Sequence, residues 1–151
     1  MDKFIKSNAL ISLVANLVIN SVIPFFILRN DTVIYLKQGS PILLETILPA
    51  VFISAFATCL ITFFLMTKKR KSGEINLPIM PNTQWFPKAI FEGIVISLVL
   101  GVIAFGIMKL IENSVENVSI PVKITLIISS ITGGLTGFIT AFIAANRASK
   151  I

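Results

Sequence analysis

Four long apolar stretches, separated by short polar segments, organise the chain. They cover about residues 9–28, 46–66, 87–110 and 122–145. Each stretch carries the roughly 20 apolar residues that a helix needs to cross a ~30 Å hydrocarbon core. The runs are unbroken and do not alternate in polarity, so they predict helices and not the strands of a barrel. We therefore expect an all-α integral membrane protein, with four transmembrane helices in a single domain over residues 1–151.

Composition agrees with this class and narrows the chemistry. Hydrophobic residues make up 55% of the chain and charged residues 13%, and the mean hydropathy is +0.92. These values exclude an ordinary water-soluble domain. The sequence has no histidine and one cysteine, Cys59, and its carboxylates are scattered near helix ends. We therefore expect no catalysis, no metal centre and no cofactor.

Positive charge is sorted along the chain. Basic residues that are not balanced by acidic ones flank the predicted spans on one side: Lys3, Lys6, Lys68, Lys69, Arg70, Lys71, Lys88, Arg147 and Lys150. The other two connections carry mixed charge. The positive-inside rule then places both termini and the basic connector, 67–86, in the cytoplasm of a bacterial cell with the spans in its inner membrane. We expect the cluster from Lys68 to Lys71 to contact anionic lipid headgroups, not nucleic acid.

The second and fourth spans share a sequence motif. Residues 58–64 and 136–142 are identical at four of seven positions. The match predicts two tandem hairpins, 1–66 and 87–151, related by a parallel repeat and forming a four-helix bundle. This layout and size resemble the proteobacterial antimicrobial compound efflux proteins. The resemblance covers the layout alone, because no motif of that family can be placed here and the first span has no mid-membrane carboxylate.

Polar residues recur on single faces of three spans. The first span has Asn8, Ser12, Asn16 and Asn20 at intervals of four, which one helical face presents together. Hydroxyl residues recur in the second and fourth spans, at Thr58, Thr62, Thr136 and Thr140. An amide within lipid needs hydrogen-bond partners. Two interpretations follow: bonds between helices, or a polar pathway or binding site lined by Asn16, Asn20 and the four threonines.

Glu92 is an ionisable residue inside the third span. Such residues are candidates for function, here a proton or cation site on the pathway. The alternative is an ion pair with Lys88, one turn earlier.

Small residues form stripes on the third and fourth spans. These are Gly93, Ser97 and Gly101 in one, and Gly133, Gly137 and Ala141 in the other. Small side chains at such spacing let helix backbones approach closely. We therefore expect the third and fourth spans to pack as a tight hairpin, or one stripe to face a second protomer in a dimer.

Two functions agree with these patterns. The first is a small permease or channel, a homo-oligomer with a dimer favoured, passing a small neutral or cationic solute along the Asn and Thr faces. The second is a non-transporting accessory or immunity subunit, which binds another membrane protein through its small and polar helix faces.

Overall fold

The computed structural model describes residues 1–78 and 81–150 and contains four long helices. They are α1 (Asp2–Ile27), α2 (Leu43–Lys71), α3 (Asn82–Ser114) and α4 (Val122–Ser149). All four are long and apolar enough to cross a membrane. The prediction of four spanning helices is therefore confirmed at the level of length and composition. The helices run beyond the apolar stretches because their polar ends continue the backbone hydrogen bonding past the hydrocarbon core.

The helices pack in the spatial order α1, α4, α2, α3. Helix α4 lies against both α1 and α2, and α2 lies against both α4 and α3, whereas α3 and α4 barely touch. The expectation of a tight α3–α4 hairpin is therefore wrong.

The small stripes face other helices. Gly93 and Gly101 of α3 lie against aromatic rings of α2, and Gly133 and Gly137 of α4 lie against side chains of α1. A small residue permits close approach without specifying which helix approaches. The glycines of both stripes therefore lie against α2 and α1, and not between α3 and α4.

A short β-ribbon closes one end of the bundle. The α1–α2 connection contains β1 (Val33–Tyr35) and the α3–α4 connection contains β2 (Ser119–Pro121). The two strands are antiparallel, with Ile34 opposite Ile120. Ile34 is fully buried and belongs to an apolar cluster with residues of α2 and α3. The ribbon therefore ties together the two connections at this end.

At the opposite end of the bundle, the last turn of α2 lies beside the start of α1 and the end of α4. The Lys69 ammonium lies 5.9 Å from the centre of the Phe4 ring. An Arg70 guanidinium nitrogen donates to the Ala148 carbonyl at 2.5 Å. The second apolar cluster lies beneath them, where alanines of α4 pack on Cys59, Phe63 and other residues. The segments that the charge pattern assigned to one side of the membrane are therefore neighbours in the structure.

The ribbon register is open to a direct test. With Cys59 replaced by serine, Tyr35→Cys and Ser119→Cys place two thiols on directly opposed residues, where Cβ atoms lie about 4.5–5.5 Å apart. We expect rapid oxidation to an intramolecular disulfide. A protease site inserted after Gly73 provides the measurement, because only cross-linked halves stay together on a denaturing gel. Separation of the halves to the extent seen with either single cysteine would contradict this pairing.

Candidate functional site

Three asparagines of α1 form a ladder of hydrogen bonds with hydroxyls of α2. The Nδ2 of Asn8 donates to Thr62 Oγ1 at 3.0 Å. Likewise, Asn16 donates to Thr58 Oγ1 at 3.0 Å and Asn20 to Ser54 Oγ at 2.8 Å. On α2 the three hydroxyl residues are one turn apart, and on α1 the asparagines are two turns and then one turn apart, so each set lies on one helix face. We call these six residues the polar ladder.

Asn16 and Asn20 each donate a second hydrogen bond. The Asn16 Nδ2 also donates to the Ser12 carbonyl at 2.8 Å, and the Asn20 Nδ2 to the Asn16 carbonyl at 2.8 Å. An asparagine amide has two N–H donors, so both donors of each amide are used. Asn16 and Asn20 are 7% and 4% exposed. The amide donors of Asn16 and Asn20 are therefore all engaged, and both side chains are nearly buried.

Two glycines of α4 lie directly against Asn16 and Asn20. A Cβ atom added at Gly133 would lie 2.2 Å from the Asn20 amide nitrogen, and one at Gly137 would lie 2.2 Å from the Asn16 amide nitrogen. These distances are well inside van der Waals contact, so only glycine lets α4 approach α1 this closely. The GxxxG motif formed by Gly133 and Gly137 therefore lets α4 pack directly against the asparagine amides.

The two predicted site threonines of α4, Thr136 and Thr140, have different surroundings. Thr140 is fully buried, and within the described part of the chain its hydroxyl has no hydrogen-bond partner. Thr136, one turn earlier, is 6% exposed and lines a cleft between α3 and α4. The structure therefore brings Asn16, Asn20, Thr58 and Thr62 into one row but leaves Thr136 and Thr140 outside it.

An apolar cleft separates α3 from α4. Its volume is about 340 Å³, and its floor is formed by Ile47 and Val51 of α2. Ala104 belongs to the α3 wall, and Thr132 and Thr136 to the α4 wall. The cleft exists because α3 and α4 each pack on α2 and not on each other. Sequence reasoning missed it for that reason: it assigned the small stripes to an α3–α4 contact.

A second cleft lies between α1 and α2. Its volume is about 320 Å³, and it is lined by apolar residues together with Asn20, Ser54 and Glu45. Glu45 lies at the start of α2 and accepts a hydrogen bond from the Ile42 backbone at 3.4 Å, as a helix-capping carboxylate does. Glu45 therefore has a local structural role at this end of the bundle.

Glu92 pairs across helices. Its Oε2 accepts a hydrogen bond from Arg147 Nη1 of α4 at 2.6 Å, and its side chain is 9% exposed. The expected local partner, Lys88, is replaced in this role by a residue 55 positions away. Nothing local to the sequence around Glu92 indicated Arg147, because the pairing depends on where α4 ends beside α3.

The basic cluster from Lys68 to Lys71 is divided between surface and interior. Lys68 is exposed, whereas Lys69 forms an ion pair with Glu74. Hydrogen bonds from Lys69 and Ser72, with the Lys69 charge, hold the pKa of Glu74 below its ordinary value. Arg70 is only 4% exposed and donates to carbonyls of the α4 end and the connector. Its guanidinium therefore faces protein, unlike the expected headgroup contact.

Comparison with protein-family models, curated proteins and solved structures gave no match. Within residues 1–78 and 81–150, no group of three or more histidine, cysteine, aspartate or glutamate side chains is placed to hold a metal ion. The ladder, the clefts and the charged end of the bundle are the candidate sites that the described residues form.

Because α4 packs closely on the ladder, replacing a glycine by alanine should affect stability differently at two positions. Gly137→Ala inserts a methyl group against the Asn16 amide, whereas Gly106→Ala on α3 meets nothing within 4 Å. We expect Gly137→Ala to lower the free energy of unfolding by about 1–3 kcal/mol, as overpacking does. Gly106→Ala should be neutral. Denaturant titration in detergent micelles measures both.

A double variant separates steric conflict from a general effect on the helix. Adding Asn16→Ala to Gly137→Ala removes the amide that the methyl group meets, so we expect the double variant to lose less stability than the sum of the two single variants. Strict additivity would show that Gly137 does not act through Asn16.

Proposed function

We propose that the protein is a non-transporting interaction protein of a bacterial inner membrane, and that the α3–α4 cleft receives a transmembrane helix of another membrane protein. The observation that carries the proposal is the closure of the polar ladder. The amide donors of Asn16 and Asn20 are used inside the protomer. Of the two apolar clefts between helices, the α3–α4 cleft has no residue of the polar ladder in its lining.

The ladder supports a structural role for Asn16 and Asn20. A solute pathway needs polar groups directed into a water-filled space. Here the amide donors are bonded to α2 and to their own helix, and α4 is in contact with the same amides. Such bonds contribute about 0.6 kcal/mol each on average in measured membrane proteins. Their larger effect is to fix which faces of α1 and α2 meet.

The walls of the cleft suit a helix. Ala104 is small enough to let a partner backbone approach α3. Thr132 and Thr136 add hydroxyls to an otherwise apolar wall. A lipid acyl chain cannot form a hydrogen bond with a hydroxyl in the hydrocarbon core, whereas a partner helix can form interhelical hydrogen bonds with it. These features favour a helix as the occupant over an acyl chain.

The orientation we propose has both termini and the connector in the cytoplasm. Support comes from the charge sorting together with the meeting of these three segments at one end. The β-ribbon then lies on the outer side.

We also propose that the chain arose by tandem duplication. Exchanging α1 with α3 and α2 with α4 converts the α1–α4 contact into the α3–α2 contact and leaves α2–α4 unchanged. The same exchange pairs β1 with β2, which are antiparallel about Ile34 and Ile120. A pseudo-twofold axis along the membrane normal accounts for both features.

A permease is the second candidate, and the hydroxyls in the α3–α4 cleft favour it. In a homodimer, two facing clefts would enclose Thr132 and Thr136 of both protomers and offer a neutral polar lining for a small solute. Glu92 would lie toward the cytoplasmic end of such a path, although its pairing with Arg147 leaves it without a free charge.

Photo-cross-linking tests the interaction proposal. A benzophenone amino acid at Ala104 faces the cleft, whereas one at Val102, which is 68% exposed on the same helix, faces outward. We expect a discrete protein adduct in cells from position 104 and none from position 102. An adduct of twice the chain mass would identify a second copy as the occupant and contradict a foreign partner. Equal adducts at both sites would mean that the cleft is not a binding surface.

Access of water to the ladder and to the α3–α4 cleft distinguishes the interaction protein from the permease. In a Cys59→Ser background, we expect cysteine at position 16 and cysteine at position 136 both to resist a membrane-impermeant thiol reagent in intact protein. Cysteine at position 119, exposed on β2, should react and serves as the positive control. Labelling at position 136 would reject the dry cleft and favour the permease.

A further inference from the structure

A shallow charged cavity, largely open to its surroundings, lies at the end of the bundle that holds both termini. Its volume is about 330 Å³, and it is formed by the early turns of α3 and the last turns of α4. The residues that line it are all charged, namely Lys88, Glu92, Arg147 and Lys150. Three cations and one carboxylate share this space, so the cavity carries an excess of positive charge.

The inner side of the cavity is held in place by the Glu92–Arg147 pair. Glu92 is nearly buried, and its Oε2 binds Arg147 Nη1 at 2.6 Å. The Arg147 side chain is 49% exposed, and a guanidinium has five N–H donors in a rigid fork. The pair therefore fixes the guanidinium while leaving donors for a ligand. It also neutralises one cation, so Lys88 and Lys150 supply the net charge.

Helix electrostatics explain only part of this arrangement. The negative end of the α4 dipole favours Arg147 and Lys150 in its last turns. The same reasoning gives no role to Lys88, because Lys88 lies in the second turn of α3, toward the positive end of that helix. The positive-inside rule accounts for the presence of all three cations at this end. An anionic ligand between the two helix ends would engage all three together.

We propose that this cavity binds the phosphate group of an anionic membrane lipid. An arginine fork flanked by lysines is the usual protein arrangement for a phosphate. Trp85, one turn before Lys88, marks the depth at which aromatic residues meet lipid headgroups. The site differs from the Lys68–Lys71 cluster, where Lys69 and Arg70 are engaged within the protein.

Lipid titration of the full-length protein tests the site. Phosphatidylglycerol is added to the detergent-solubilised protein, and bound lipid is counted by native mass spectrometry. Lys88→Gln with Lys150→Gln removes the net charge of the cavity. Lys3→Gln with Lys6→Gln is the matched control, because both residues are exposed, lie at the same end and give the same charge change.

We expect one saturable phosphatidylglycerol molecule, bound on the order of 30-fold more weakly by the cavity variant, at about fivefold per lysine. The control variant should change the affinity by less than about threefold. Equal weakening in both variants would show diffuse attraction to the surface and overturn the site, and so would no weakening in either.

Inorganic phosphate distinguishes the two sources of this chemistry. Competition by millimolar phosphate against bound phosphatidylglycerol would support recognition of the phosphate group itself. Binding of phosphate without any binding of phosphatidylglycerol would overturn the lipid as the ligand and assign the cavity to a soluble anion. Neither result depends on what occupies the α3–α4 cleft.

Discussion

The need of buried amides for hydrogen-bond partners governs this fold. Asparagines placed in an apolar helix lose their water on entering the membrane, and an unpaired amide in hydrocarbon is costly. Here each asparagine amide of the polar ladder donates to a hydroxyl on α2, and Asn16 and Asn20 also donate to carbonyls of α1. These bonds set the facing surfaces and the register of α1 and α2. The glycines of α4 complete the arrangement because no larger residue would fit against the amides.

The consequence of that central arrangement is an uneven surface. Helix α4 is drawn toward α1 by the fit of its glycines on the asparagines, and α3 is held on α2 by the fit of Gly93 and Gly101 on aromatic rings. Since α3 and α4 thus face different neighbours, a cleft remains between them although they are joined by a short connection. The cleft and the closed ladder have one structural cause, and together they favour a binding role for the outside of the bundle.

The two ends of the bundle are built differently. One end is tied by backbone pairing in the β-ribbon over an apolar cluster. The other end relies on long basic side chains, with Arg70 reaching the end of α4 and Arg147 reaching α3. Charged side chains at this end therefore hold helices together. Lys88 and Lys150 are the cations that line the cavity beyond the Glu92–Arg147 pair, which is why the proposed phosphate site is there.

The sequence by itself determined the number of apolar helices, the polar face of α1 and the grouping of basic residues at one end, because these depend on composition and on periodicity within a single helix. Only the tertiary structure decided that Gly133 and Gly137 seat on asparagines, that Glu92 pairs with Arg147 and that Arg70 turns inward. It also produced the ribbon, whose three-residue strands are too short to show a pattern. The physical reason is that helix periodicity shows which face is polar or small, but not which helix will cover it. In lipid, burial of apolar surface does not favour one helix over another as a neighbour, so neighbours are chosen by shape and hydrogen bonds that a linear pattern does not contain.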